Sequence, residues 1–391
     1  MESLAINEVA LECRPSQREG TEQLRVLALA SYPVRAAATR YRLVQYVHPL
    51  AKRGISLEIK PFLDDDLFVS LYRRGQVSRL MLGGLRAFLK RFGDAFAARG
   101  ADLIFVQREA MMIGPPLFEW LSMRFGDCPL VLDLDDATYI PYSSPSYGRL
   151  GSALKCFGKT DRLIQMAHVV ICGNQSIAEH VIKLGTRAAV LPTVVDTEVF
   201  RPRATQTESV LPVLGWIGTH STYPYLERIF PALERLARKH RFLLRIIGSG
   251  RETVSIPGVH VETSDWCLES EVRDFQSLDI GLYPITADEW SAGKSGFKAI
   301  QYMSIGIPFV TTPVGICSEI GEPKTTHFLA SSMDEWFDTL SMLLSDVHLR
   351  CRMGIAGREH ALRHYTITAQ TTQLARILLE AGNSRHHGTN R

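Results

Sequence analysis

Long apolar runs, paired cysteines and a strong excess of charge are all missing from this sequence, and each absence removes a class of protein. Nothing approaches the roughly eighteen consecutive apolar residues that a membrane-spanning helix needs. The opening stretch MESLAINEVALECRPSQREG carries charges throughout and has no apolar centre, so it does not read as a secretory signal. The expected location is the cytoplasm. Seven cysteines are scattered along the chain (Cys13, Cys128, Cys156, Cys172, Cys267, Cys317 and Cys351) with no Cys-x-x-Cys pair, which argues against a disulfide framework or a structural zinc site. A formal net charge of +3 is too small to imply a nucleic-acid partner. What is left is globular material, 46% apolar and 22% charged over 391 residues, which is long enough for two domains with separate cores.

Strands and helices alternate between two patternless ends. LRVLALA (24–30) suits a strand buried on both faces, and RYRLVQYVHPLAKRG (40–54) follows as a helix closed by Gly54. ADLIFVQR (101–108), PLVLDLDD (129–136), HVVICGN (168–174) and AAVLPT (188–193) repeat the rhythm. The pattern restarts with VLGWIG (213–218), a helix over 223–240, LLRIIGSG (243–250), DIGLYPI (279–285) and PFVTTPVG (308–315). This predicts an α/β protein of two parallel, doubly wound sheets with a cleft between the carboxyl ends of their strands. The expected organisation is a disordered tail 1–22, a first domain 23–196, a linker 197–209, a second domain 210–365, a helix 366–382 able to cross back to the first domain, and a disordered tail 383–391.

Residues 71–100 depart from that rhythm, with seven Lys/Arg against one Asp. At helical spacing Leu82, Leu85, Leu89, Phe92 and Phe96 share one face, while Arg79, Arg86 and Lys90 share another. One reading is a domain helix with a solvated basic side. The other is docking on an anionic lipid surface.

The stretch GKSGFKAIQYMSIGIP (293–308) contains a Gly-Lys-Ser but no P-loop, because the first glycine of that motif is replaced by Asp288. GSGRET (248–253) is likewise an incomplete dinucleotide fingerprint, with Thr253 at its last place. Gly293 to Gly296 nevertheless follow a buried strand and open a helix. Its free N–H groups and dipole favour an anion, and Lys294 and Lys298 add charge within about one turn. Both lysines are also open to a reading as surface residues at a helix start.

In this order of features the chain, over roughly 24–380, resembles the retaining glycosyltransferases of family 4. VLPTVVDTEVFRP carries the family's interdomain Asp, Phe and Pro as Asp196, Phe200 and Pro202, with Thr193 and Val194 in place of its Asn-Gly. VLGWIG, LLRIIGSG and QYMSIGIPFVTTPVGICSEI match successive units of its second domain. The resemblance implies the GT-B fold, two facing Rossmann-like domains, and transfer of a sugar from a nucleotide-diphosphate sugar to a glycan or lipid-linked glycan. UDP is the favoured base-bearing group and GDP the other. It implies no metal and no cofactor beyond the donor itself, and no nucleic-acid partner. The location implied is cytoplasmic, with peripheral attachment to the inner membrane face through 71–100 left open.

Two departures stand out. Of the family's two glutamates separated by seven residues, the first position holds Gly293 and the second, which usually meets the donor ribose, holds Gln301. The basic pair that usually follows the first strand of the second domain is missing, since Gly218-Thr219-His220-Ser221 is followed by no basic residue until Arg228. Lys294 and Lys298 are the substitutes, with Gly218, Thr219, His220 and Arg40 expected around the diphosphate, Gln301 at the ribose, and Trp266 or Leu268 against the base. Arg40 and Arg42 also fit solvent-exposed charge at a helix start, Trp266 a core position and His220 a structural one.

For acceptor chemistry the candidates are Asp135 and Asp136 in LDLDDATYI, with Lys294 as a catalytic cation. Asp133 and Asp135 alternate onto one face. Helix capping and metal binding stay open for this cluster. Two rivals share the fold, a nucleotide-sugar epimerase and a catalytically inactive scaffold.

Overall fold

The structure is a computed structural model that describes residues 23–71, 77–141, 155–204 and 211–388. The expected disordered tail 1–22 lies outside the described residues, as does most of the latter half of the expected linker. Two six-stranded sheets make up the fold, each with every described strand pair parallel. The first comprises β1 (Leu24–Ala30), β2 (Ile55–Pro61), β3 (Leu103–Gln107), β4 (Leu130–Leu134), β5 (Val169–Cys172) and β6 (Ala188–Val190), in spatial order β2-β1-β3-β4-β5-β6. The second comprises β7 (Val213–Ile217), β8 (Leu243–Ile247), β9 (His260–Ser264), β10 (Ile280–Tyr283), β11 (Phe309–Thr311) and β12 (Phe328–Leu329), in order β12-β11-β10-β7-β8-β9. These are two Rossmann-like domains in the GT-B arrangement. In each, strand order reverses beside the first strand, which opens a crevice at the carboxyl edge where ligands of such sheets bind.

Central strands such as β3, β4 and β7 are buried along their whole length, so their continuous apolar runs were enough to predict them. Three strands escape that signal. β2 and β9 sit at sheet edges and mix polar with apolar residues, and β12 is two residues long. The helix predicted over 223–240 is divided into Tyr223–Glu227 and Phe230–Ala237. Pro231 explains the break, because its ring excludes the carbonyl four residues back and it has no N–H to continue the ladder. Helix Phe297–Ile305 does end at Gly306, in the left-handed region at φ +75°.

The last helix, Ile367–Gly388, runs past residue 382, where the sequence pattern ends it. Its Leu374, Ile377 and Leu378 are buried with Val26, Leu43 and Tyr46 in the core of the first domain. Helix Val77–Ala97 reverses the usual amphipathic arrangement. Ala87, Arg91, Asp94 and Ala95 face the domain, whereas Leu82, Leu85, Leu89, Phe92 and Phe96 are exposed. The apolar stripe therefore points outward.

Candidate functional site

The crevice of the second sheet lies between β7 and β10, and the loops that follow these strands carry Gly218-Thr219-His220 and the segment up to Lys298. No side chain caps helix Phe297–Ile305, and its preceding residue Gly296 is left-handed at φ +64°, so the first N–H groups of the helix have no side-chain acceptor. Lys298, in the first turn, is half-buried. Its Nζ donates to Gln301 Oε1 at 3.0 Å and lies 5.0 Å from the centre of the Phe275 ring. Burial pushes this ammonium down to about 8; Glu271 opposes that shift and Arg40 adds to it. Gln301 is fully buried, and among the described residues its Nε2 has no hydrogen-bond partner.

The first domain reaches the same place through the π-helical turn Arg40–Val44. Arg40 Nη2 lies 3.3 Å from Glu271 Oε2, and its guanidinium carbon is 5.7 Å from the Trp266 ring centre and 4.9 Å from that of Tyr41. Arg40 Nε is buried without a partner. Tyr41 donates its hydroxyl to Glu271 Oε2 at 2.8 Å, and its ring centre is 4.6 Å from that of Phe297. The structure thus gathers Arg40, Trp266, Lys298 and Gln301 around Glu271, with two buried polar atoms left unpaired. Leu268 lies nearby in sequence, half-buried, and its carbonyl accepts from the Glu271 N–H at 3.4 Å.

Lys294 and Gly293 lie at a second interdomain contact. Asn174 caps helix Gln175–Lys183 through Oδ1, which accepts from the Ile177 N–H. The same side chain donates Nδ2 across the interface to the Lys294 carbonyl at 2.9 Å. Lys294 Nζ is half-buried 5.6 Å from the Trp290 ring centre. Gly293 is packed so closely that a Cβ there would come within 2.1 Å of the Ala137 Cβ. A side chain at this position would force that interdomain contact to give.

Two sets of expected contacts differ in the structure. The N–H groups of Gly218 and Thr219, expected to face a diphosphate, are engaged internally: Gly218 donates to the Ile247 carbonyl at 3.0 Å and Thr219 to Thr222 Oγ1 at 3.1 Å. Gly218 is required by packing, since a Cβ would fall 2.3 Å from the Trp216 ring. His220 is exposed beside Gly250. Asp135 and Asp136, expected as free carboxylates for the acceptor, are both paired with Arg108, each with an oxygen 2.7 Å from Nη2. Burial alone would push Asp135 up, but the Arg108 guanidinium outweighs it and holds the carboxyl below its ordinary range. A carboxylate so held is a poor proton acceptor. Asp133 is likewise buried and paired with Arg42, which is not a solvent-exposed charge.

Sequence reasoning missed Glu271, Tyr41, Asn174 and Arg108. The first two meet across 230 positions of chain and Asn174 meets Lys294 across 120, so no local spacing could pair them. Arg108 carried a visible but ambiguous signal as a cation at a strand end. It sits in the left-handed region at φ +62°, and its tie to two carboxylates accounts for that costly conformation.

A cavity at the amino ends of β7, β10 and β11, opposite the crevice, is lined by Arg203, Arg350 and Arg358. Those guanidiniums are already held, by Asp279, by the Leu343 carbonyl, and by the Thr197, Phe200 and Ser304 carbonyls respectively. Among the described residues, no group of three or more His, Cys, Asp or Glu side chains is placed to hold a metal ion.

A family profile described as "Glycosyl transferases group 1" matches residues 211–346, which span the second sheet. No curated protein sequence matches the chain. Among solved structures the fold is similar to that of a sucrose-phosphate synthase from Thermosynechococcus elongatus (TM-score 0.67, 14% identity, covering 92% of this chain and 99% of that one). It is also similar to Anabaena HepE in complex with UDP-glucose (TM-score 0.66, 14% identity, 92% and 100%). A glycosyltransferase from Rickettsia africae gives TM-score 0.65 at 11% identity, covering 93% and 99%. At these identities the likeness is one of fold.

Proposed function

We propose that the chain is a retaining glycosyltransferase that takes a sugar from a nucleotide-diphosphate sugar, UDP-linked by preference, and passes it to a hydroxyl of a glycan or lipid-linked glycan. The observation that carries the reading is the pair of unsatisfied buried polar groups, Gln301 Nε2 and Arg40 Nε, beside a half-buried Lys298 at an uncapped helix start. Such groups are costly without a ligand, and a nucleotide diphosphate has the charge and acceptors to satisfy them. The profile match over the second sheet and the UDP-glucose bound by the fold relative HepE support the same choice of donor.

In this reading Lys298, Lys294 and Arg40 counter the charge that develops on the leaving diphosphate, the helix start adds backbone N–H groups, Gln301 meets the ribose and Trp266 packs on the base. These groups supply the electrostatic assistance without a metal. The acceptor oxygen bonds to the anomeric carbon on the face from which the diphosphate leaves as the bond from that carbon to the diphosphate oxygen breaks, the hydroxyl proton passes to the departing diphosphate oxygen, and no protein nucleophile is assigned. Neither Gly293 nor the Arg108-bound aspartates offer one.

Thermal-shift titration with UDP, GDP, ADP and their sugars tests the proposal. UDP at about 100 times its dissociation constant adds roughly 2.7 kcal/mol, read as a rise in Tm, and exceeds the other nucleotides. No stabilisation by any of them defeats the donor site. Stabilisation without sugar release to any acceptor would leave a binding scaffold.

A further inference from the structure

We propose that the outward face of helix Val77–Ala97 docks on an anionic membrane surface. Met81, Leu82, Leu85, Leu89, Phe92 and Phe96 are 72%, 54%, 56%, 60%, 42% and 52% exposed and recur every three or four residues, so they form one stripe roughly 22 Å long. Phe92 and Phe96 edge onto Phe118 and Phe125, yet among the described residues nothing covers the outer side of the stripe, and exposed apolar surface of that extent is unusual. The helix cannot roll to bury it. Arg91, fully buried on the opposite face, donates Nη1 to the Lys60 carbonyl and Nη2 to the Ala30 carbonyl, both at 2.8 Å, and faces Asp94 at 3.3 Å. Turning the helix would unpair a guanidinium in the core.

The charges around the stripe select the occupant. Arg79, Arg86 and Arg99 are exposed along the helix and just beyond it, with Arg99 over the Phe96 ring at 4.1 Å, while Lys90 turns its ammonium back to the Pro61 carbonyl at 3.1 Å and to buried Asp94, the one acid of the helix, at 3.7 Å. Exposed Asp64, Asp65 and Asp66 lie beyond its first turn, near Arg79. Cations bordering an apolar stripe match anionic headgroups above acyl chains. A second copy seated on this face would set those cations against their own kind. Lys60 and Ala30 stand at the carboxyl ends of β2 and β1, so the helix crosses the sheet edge on which the interdomain crevice opens. If the glycosyl-transfer reading holds, this placement favours an acceptor whose hydroxyl is carried by a membrane-anchored chain.

Co-sedimentation of the full chain with lipid vesicles tests the docking without donor or turnover, so its failure and that of the glycosyl-transfer reading are distinguishable. At low salt, partitioning onto phosphatidylcholine vesicles containing one-third phosphatidylglycerol is expected to exceed that onto phosphatidylcholine alone by at least about tenfold, and to fall in about 1 M salt. Leu85→Glu and Leu89→Glu each weaken it by at least about tenfold while UDP binding and circular dichroism stay unchanged, and Arg86→Glu weakens it by about fivefold. Hydrogen exchange of the unaltered protein slows over 77–97 when anionic vesicles are added, a readout that needs no variant. Equal binding to neutral and anionic vesicles, no binding, or stripe variants that bind like wild type would each overturn the proposal. So would a dimer in light scattering that Leu89→Glu dissolves, because the face then belongs to a second copy.

Discussion

The two sides of the interdomain contact treat charge in opposite ways. On the first domain's side, Asp133 is tied to Arg42, and Asp135 and Asp136 to Arg108, so each cleft-edge carboxylate named there has its cation. On the second domain's side, among the described residues, Lys298 has only a neutral glutamine oxygen as its hydrogen-bond partner, and Gln301 Nε2 has none. Paired buried charges hold a sheet edge together and leave little for a ligand. A half-desolvated ammonium beside an unpaired amide is a poor environment that an anion would improve. The contrast teaches that the first domain's acids are committed to ion pairs, whereas the second domain's helix start keeps unpaired polar groups, which is what the donor-site proposal rests on.

The largest expected effect breaks the first side. Arg108→Ala strands two carboxylates, one of them deeply buried, and should cost about 3–5 kcal/mol in urea denaturation. Adding Asp135→Asn should recover part of that loss. If Arg108→Ala left stability intact and abolished UDP binding, the two sides would have been assigned the wrong way round.

Next in size is Gly293→Glu, which restores the carboxylate that the family pattern leads one to expect, at a place with no room for a Cβ. We expect overpacking of about 1–3 kcal/mol at the domain contact and a larger radius of gyration in small-angle scattering, with UDP binding to the second domain retained. An unchanged radius and unchanged stability would contradict the close Gly293–Ala137 seating.

Lys298→Met should weaken UDP by about 1.5–3 kcal/mol, the loss of one charge-assisted hydrogen bond, without destabilising the fold. Trp266→Ala should have the smallest effect, about 0.5–1.5 kcal/mol, read as a similar loss for UDP and uridine. A loss for UDP alone would move Trp266 from the base to the diphosphate.

How much of this was legible in the sequence depended on whether the deciding partner was local. LRVLALA and VLGWIG announce buried strands by composition, and Gly306 announces a helix stop because the left-handed conformation favours glycine. The Gly293–Gly296 helix start was legible in the same way, but the two lysines diverge in the structure, Lys298 toward Gln301 and Phe275 and Lys294 toward Trp290. The orientation of helix Val77–Ala97 was not. Its spacing leaves a buried stripe and a lipid-docking stripe both open, and what decides between them is Arg91 bonding to two strand-end carbonyls about thirty and sixty residues earlier. Likewise LDLDDATYI reads as three available carboxylates until Arg42 and Arg108 are folded onto them. Spacing identifies which residues share a face; only tertiary contacts decide what that face meets.

The most direct test of the contrast is the pH dependence of UDP affinity by calorimetry. Burial lowers Lys298 in the free protein to about 8, and a bound diphosphate favours its charged form, so affinity should fall as pH rises through about 8. Titrations from about pH 7 to about pH 10 should show that decline in the wild type and a nearly flat profile in Lys298→Met. A flat wild-type profile, or an equal decline in the variant, would contradict the assignment of Lys298 as the diphosphate's cation.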